Sequence, residues 1–172
     1  MNKTKKGALW IAQGALIAAL YVALTYLSQI LGLTSFAVQF RLSEPLCVLP
    51  YFTAAAVPGL TLGCVLANIL LQSAPWDVVF GSFATFLGAV VCRLISVSLK
   101  KRGFRKTAIW LSPVPNIIAN TLILPFIIKW VYADAMSLPL IAVLVLAGEV
   151  VSCFLGVPLA FALDRRKAVF KD

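Results

Sequence analysis

Residues 45–76 read PLCVLPYFTAAAVPGLTLGCVLANILLQSAPW and contain no charged side chain. As a single α-helix this stretch would be about 48 Å long, whereas the hydrocarbon core of a bilayer is roughly 30 Å thick. The natural break is Val57-Pro58-Gly59, because proline disfavours helix in the residue before it and glycine costs helix stability. The stretch therefore predicts two consecutive helices, a short one over about 45–56 and another over about 59–73.

The rest of the chain has the same apolar character. Of its 172 residues, 62% are hydrophobic and 12% are charged, whereas soluble domains carry about 25% charged residues. This composition excludes a water-soluble fold. Since each crossing takes roughly 20 apolar residues, we predict one all-α integral membrane domain over residues 1–172 with six transmembrane helices. The other four helices cover about 7–31, 78–99, 107–128 and 138–163.

Basic residues fall in three clusters, which hold every lysine and arginine except Arg41, Arg93 and Lys129. The clusters are Lys3, Lys5 and Lys6; Lys100, Lys101, Arg102, Arg105 and Lys106; and Arg165, Arg166, Lys167 and Lys171. Six crossings that start inside put all three on the cytoplasmic side, as the positive-inside rule requires, whereas five or seven crossings would not. We therefore predict cytoplasmic termini in a multi-pass plasma-membrane protein. This distribution favours cytoplasmic anchoring over a nucleic-acid surface.

The sequence lacks the usual residues of several chemistries. Histidine is absent, and no GxxxxGK[ST] phosphate loop occurs. The four cysteines stand singly in apolar stretches without CxxC spacing: Cys47, Cys64, Cys92 and Cys153. Zinc, disulfides and a nucleotide motor within this chain are therefore not expected. We predict a protein that is not an enzyme and has no metal or cofactor, so that any ATP hydrolysis belongs to another subunit.

Helix 1 carries five alanines at spacings of four, three, four and four residues, which places them on one face. They are Ala8, Ala12, Ala15, Ala19 and Ala23. Small residues at such spacing let another helix approach closely, and a stripe over four turns favours an external partner; packing within the chain is the alternative. Gly59, Gly63 and Ala67 form a shorter stripe, for which we predict internal packing.

Polar residues inside the predicted helices are candidate site residues, because an ionisable group in hydrocarbon is expensive. Glu149 lies near the middle of helix 6 and is the strongest of them. Asn116 and Asn120 are four residues apart on helix 5 and share a face, where their amides offer both donors and an acceptor. The alternatives are that Glu149 is a protonated or hydrogen-bonded packing residue and that the two asparagines make interhelical hydrogen bonds.

The outer loops place carboxylates beside aromatic rings, in Gln39-Phe40-Arg41-Leu42-Ser43-Glu44 and in Trp76-Asp77. Carboxylates accept hydrogen bonds from amines and amidines, and aromatic faces stack on planar rings or attract cations. An ordinary interfacial belt would account for either segment alone. Together with Glu149 and the two asparagines, they predict a polar pocket open to the outside.

Several separated motifs are similar to those of one known family. They are Val38-Gln39-Phe40-Arg41-Leu42-Ser43-Glu44, Leu49-Pro50, Gly63-Cys64-Val65-Leu66-Ala67-Asn68, Trp76-Asp77-Val78-Val79-Phe80-Gly81-Ser82, Pro113-Val114-Pro115-Asn116, Asn120 and Gly148-Glu149. In these motifs the chain resembles the QueT family of queuosine-precursor transporters, the substrate-binding S components of energy-coupling factor (ECF) transporters. The resemblance covers nearly the whole chain.

This resemblance implies a bacterial six-helix S component that captures a 7-deazaguanine, either queuine or its aminomethyl precursor, at the outer face. It also implies a transmembrane coupling subunit and two cytoplasmic ATPase subunits as partners, with the small residues of helix 1 meeting the coupling subunit. A stand-alone permease, an S component for another vitamin or nucleobase, and an intramembrane enzyme that uses Glu149 and Asp77 as acid and base are the alternatives.

The chemistry of a deazaguanine matches the polar residues. Its N1–H and 2-amino groups suit a carboxylate, its carbonyl suits an amide or Arg41, and a protonated side-chain amine suits a second acid. Each of Glu44, Asp77 and Glu149 is a candidate partner for either kind of donor. The predicted pocket is lined by Gln39, Arg41, Glu44, Trp76, Asp77, Asn116, Asn120 and Glu149.

Overall fold

A computed structural model describes residues 3–33 and 40–165, with side chains from residue 4 onward. Within these ranges the chain is helical and contains no strand. In chain order the elements are α1 (Lys3–Ile30), a 3-10 helix (Glu44–Tyr51), α2 (Ala56–Leu70), α3 (Pro75–Lys101), α4 (Arg105–Leu111), α5 (Val114–Trp130), α6 (Leu138–Phe154) and α7 (Gly156–Arg165). The all-α membrane fold predicted from composition is confirmed.

Four apolar stretches in the described ranges are long enough to cross a bilayer: Thr4–Ile30, Pro75–Lys101, Arg105–Trp130 and Leu138–Arg165. The third combines α4 with α5, and the fourth combines α6 with α7. Each coincides with a predicted helix to within a few residues. α3 ends where Gly103 takes a positive φ of 85° and Phe104 donates its N–H to Leu99 O at 2.9 Å, which is a common way to terminate a helix.

The second predicted helix has a different form in the structure. We expected an α-helix over about 45–56, but the chain forms a 3-10 helix over Glu44–Tyr51, roughly 16 Å long at 2 Å per residue. Pro45 and Pro50 lack the N–H that an α-helix needs and restrict the residues before them. The segment is buried among the other helices, where irregular backbone is tolerated at membrane depth.

α2 packs closely against α1 through its glycines, as predicted for this stripe. A Cβ atom on Gly59 would lie 2.7 Å from the Gly14 carbonyl oxygen, and one on Gly63 would lie 2.8 Å from the Tyr21 Cβ atom. Ala67, one turn further along, is also buried. The stripe therefore serves packing within the chain.

Two further glycines bring functional segments together. A Cβ atom on Gly88 of α3 would lie 2.7 Å from the Cα atom of Asn116 on α5. Gly156, at the start of α7, lies against the Pro45 carbonyl and the Val48 side chain. These contacts set where Asn116 and the 3-10 helix stand in the bundle.

Cationic side chains meet the C-terminal end of the 3-10 helix. Arg93 donates to the Pro50 carbonyl at 3.2 Å, and Lys100 donates to the Tyr51 carbonyl. The Tyr51 hydroxyl in turn donates to Asp164, which also pairs with Arg105 at 3.0 Å. Free carbonyls at a helix C-terminus favour cations, so these contacts anchor this end of the segment.

The five alanines of α1 are all exposed in the described chain. Ile17, Ala18 and Tyr21 on the opposite side of the same helix are buried. None of the described elements of this chain therefore packs over the alanine face.

Candidate functional site

A group of polar side chains is enclosed at the centre of the bundle. Glu44 comes from the start of the 3-10 helix, Asn116 and Asn120 from α5, and Glu149 and Cys153 from α6; none is more than 3% exposed. One carboxylate oxygen of each glutamate and the Cys153 sulfur lie within 4.8 Å of one another. We call these five residues the deep cluster.

Hydrogen bonds orient the two acids of the deep cluster. The Tyr21 hydroxyl donates to Glu44 Oε1 at 3.1 Å, and Asn116 Nδ2 donates to Glu44 Oε2 at 2.7 Å. The Cys153 thiol donates to Glu149 Oε2 at 3.4 Å, and the Asn120 amide lies beside the same carboxyl group. Two acids and a sulfur so arranged could surround one cationic group, such as a ligand ammonium.

A cavity of about 680 Å³ lies next to the deep cluster, within the size range of small-molecule sites. It is formed by α1, α2, the start of α3 and the turn between α5 and α6. The residues that line it include Thr25, Gln29, Arg41, Asn68, Gln72, Ser73, Asp77, Tyr132 and Asp134. This polar lining could bind a planar ligand that carries both donors and acceptors.

Asp77 is one of two acids that line the cavity. Its Oδ2 atom accepts a hydrogen bond from the Tyr132 hydroxyl at 3.1 Å, and its backbone carbonyl accepts one from Asn68 Nδ2 at 3.4 Å. Partial burial raises the pKa of Tyr132, and the Asp77 carboxylate beside it adds to this effect. The tyrosine therefore stays protonated at neutral pH and acts as a hydrogen-bond donor.

Two residues link the cavity to the deep cluster. Thr25 lines the cavity, and its hydroxyl is hydrogen-bonded at 2.9 Å to Ser43, the neighbour of Glu44. Arg41 also lines the cavity and interacts electrostatically with both Asp77 and Glu44. Arg41 thus connects Asp77 of the cavity with the acids of the deep cluster.

The QueT transporter family model matches residues 11–165, nearly the whole chain. This chain belongs to the QueT transporter family. It is also 35% identical over 74 residues to the queuosine precursor transporter QueT of Lactococcus lactis subsp. cremoris (strain MG1363). That match covers 42% of this chain and 43% of the relative, less than half the length of either. No solved structure matches the chain.

Family membership and four apolar helices of membrane length place the chain among multi-pass proteins of the bacterial plasma membrane. In this QueT family member, the eight residues predicted for the pocket fall into four groups. Arg41 and Asp77 line the cavity. Glu44, Asn116, Asn120 and Glu149 belong to the deep cluster, Trp76 lies elsewhere, and Gln39 lies outside the described residues.

Trp76 is 58% exposed and lies on the outside of the bundle. It stacks on Phe80, with ring centroids 6.0 Å apart, and lines an apolar groove with Phe126 and Trp130. The structure therefore does not bring Trp76 to the cavity, although Asp77 is the next residue. The 100° rotation per residue of a helix accounts for the difference.

Several residues that line the cavity, belong to the deep cluster or bond to it were not predicted from the sequence, among them Tyr21, Asn68, Tyr132 and Cys153. Asn68 is a polar residue within an apolar helix, a signal that could have identified it. Tyr21 and Thr25 are four residues apart in α1, so their shared polar face was also visible. Tyr132 and Cys153 gave no such signal, because tyrosine and cysteine are common in membrane helices and at their ends.

Proposed function

We propose that this QueT family member is the S component of an ECF transporter and binds a 7-deazaguanine queuosine precursor, queuine or its aminomethyl precursor. The observation that carries the proposal is the polar cavity with Asp77 and Arg41 on its wall and, linked to it through Arg41, a pair of buried acids. The family consists of transporters, and the Lactococcus relative is named for a queuosine precursor.

The two groups of acids match the two ends of such a ligand. Asp77 lines the cavity and suits the N1–H and 2-amino groups of the ring, while Arg41 or the Asn68 amide suits its carbonyl. Glu44 and Glu149 suit the cationic amine of the ring substituent. In this pose the amine end of the ligand lies beside Thr25 and Arg41, toward the deep cluster.

The exposed alanine face of α1 supports an external helical partner, which we propose to be the transmembrane coupling subunit of an ECF module. Two cytoplasmic ATPase subunits would supply the energy, because this chain has no phosphate-binding loop of the GxxxxGK[ST] type. Purified chain in vesicles should then bind the ligand without accumulating it, and uptake should require the module and ATP.

The direct test is calorimetry on the purified chain in detergent with queuine, the aminomethyl deazaguanine, guanine, riboflavin and biotin. Selective binding of one or both deazaguanines supports the proposal. Binding of a different panel member keeps an S component but overturns the substrate. A folded protein that binds none of the five contradicts the proposal and favours a permease for another solute or an enzyme.

A further inference from the structure

The buried side of α1 carries a row of polar side chains. Gln13, Tyr21, Thr25 and Ser28 lie on one helical face, opposite the exposed alanines. Tyr21, Thr25 and Ser28 are at most 2% exposed. Unpaired polar groups at this depth would be costly, so each of them needs a partner within the protein.

The partners of this row are successive residues of the segment that leads to Glu44. Ser28 Oγ accepts the Leu42 N–H at 2.8 Å, and Thr25 is hydrogen-bonded to Ser43 at 2.9 Å. Tyr21 then donates to Glu44 itself at 3.1 Å. The backbone of residues 42–44 lies outside any α-helix, so these three contacts hold it at membrane depth.

The far end of the same segment is also anchored. The Thr53 hydroxyl donates a hydrogen bond to Gln13 Oε1 at 3.1 Å. Arg93 and Lys100 donate hydrogen bonds to the last carbonyls of the 3-10 helix. With both ends held, the remaining freedom at Glu44 is the orientation of its side chain. Tyr21 and Asn116 determine this orientation, one at each carboxylate oxygen.

A carboxylate oxygen has about two lone-pair sites. Glu44 Oε1 accepts from Tyr21, whereas Glu44 Oε2 accepts from Asn116 and, over a longer contact of 4.0 Å, from the Cys153 thiol. A ligand donor can therefore approach only along the directions that these partners leave open, and on the Oε1 side Tyr21 sets that direction. We propose that Tyr21 is a positioning residue of the substrate site, which acts on the ligand through Glu44 rather than by touching it. This inference rests on the proposed function, since it requires that Glu44 meets the ligand.

The test begins with Tyr21→Phe, which removes the hydroxyl and keeps the ring. Loss of one hydrogen bond to a charged acceptor should weaken deazaguanine binding about tenfold, measured by calorimetry. Tyr26→Phe is the matched control, because Tyr26 is on the same helix and is 53% exposed. It should bind as the unaltered protein does. Equal affinity of Tyr21→Phe and the unaltered protein would overturn the inference.

A double-mutant cycle separates positioning from general packing. Glu44→Asp keeps the charge but withdraws the carboxylate by one methylene, beyond the reach of Tyr21. If Tyr21 acts through Glu44, adding Tyr21→Phe to Glu44→Asp should lower affinity less than twofold further. A full additional tenfold loss means that Tyr21 acts through packing and refutes the positioning role.

The outcomes for the two proposals are distinguishable. If the unaltered protein binds no deazaguanine, the proposed function fails, and with it the basis of this inference. If the unaltered protein binds and the cycle is additive, the proposed function stands and the role of Tyr21 is wrong. Thermal unfolding of every variant in detergent checks that each loss of affinity occurs in folded protein.

Discussion

Glu44 and Glu149 approach each other in a space that water hardly reaches, and this proximity dominates the chemistry of the site. Arg41 interacts electrostatically with both acids. In the proposed complex, a cationic ligand amine would be a second positive partner for them. Substitution can test the role of each acid.

Loss of the carboxylate of Glu149 or of Asp77 should weaken binding of an amine-bearing deazaguanine. Glu149→Gln and Asp77→Asn preserve side-chain volume, so we expect folded proteins with roughly 10- to 100-fold lower affinity, the cost of losing a hydrogen bond to a charged group. Calorimetry with the aminomethyl deazaguanine is the measurement. Asp164→Asn is the control, because Asp164 pairs with Arg105 away from the cavity. Unchanged affinity in both site variants would contradict the site assignment.

Gly88 offers a test of how the helices position Asn116. A Cβ atom at residue 88 would lie 2.7 Å from the Asn116 Cα atom, so Gly88→Ala must push α3 and α5 apart. We expect a loss of about 1–3 kcal/mol in the free energy of unfolding together with weaker ligand binding. In Gly7→Ala the added methyl meets nothing within 4 Å, and neither quantity should fall. Unfolding in detergent and calorimetry give the two readouts.

At the scale of elements, α1 has two faces with separate tasks. Its polar face holds the segment that carries Glu44, and its alanine face is exposed along the helix. A helix so divided permits changes on one face that leave the other intact. The alanine face can therefore be altered without disturbing the proposed substrate site.

Leucine at Ala15 and Ala19 should block close approach of a partner helix. We expect the double variant to lose most of its co-purification with the proposed coupling subunit and ATPases. Its ligand affinity should stay within about twofold, because both substitutions lie on the face of α1 opposite Tyr21 and Glu44. Ala147→Leu, at an exposed alanine of α6, should assemble normally. Normal recovery of the complex with the α1 variant would refute the partner role of this face.

For the whole molecule, the basic clusters predict which loops face the cytoplasm. The four native cysteines are buried, so a membrane-impermeant maleimide should report on introduced cysteines. In intact cells we expect Ala135→Cys, in the turn before α6, to be labelled. Arg102→Cys, after α3, should react only once the cells are permeabilised. The reverse pattern would invert the predicted orientation.

The bilayer explains why so much of the architecture was predictable. Apolar runs of membrane length and their charged flanks are local properties, and they located the long helices to within a few residues. The 3-10 helix was not predictable in this way, because its proline-rich segment is apolar like its neighbours. Its form depends on α3, whose Arg93 and Lys100 donate to its last carbonyls, and on α1 and α7, which contact it from other sides.

The amino-acid sequence by itself determined the membrane environment, the positions of the long helices, the alanine face and most of the acids and amides of the proposed site. These follow from hydrophobicity and helical period, which are properties of neighbouring residues. Only the tertiary structure decided that Glu44, Glu149 and Cys153 meet, that Tyr21 orients Glu44, and that Trp76 faces away. Such contacts join residues up to 109 positions apart, and their distances depend on how the glycine-lined helices pack.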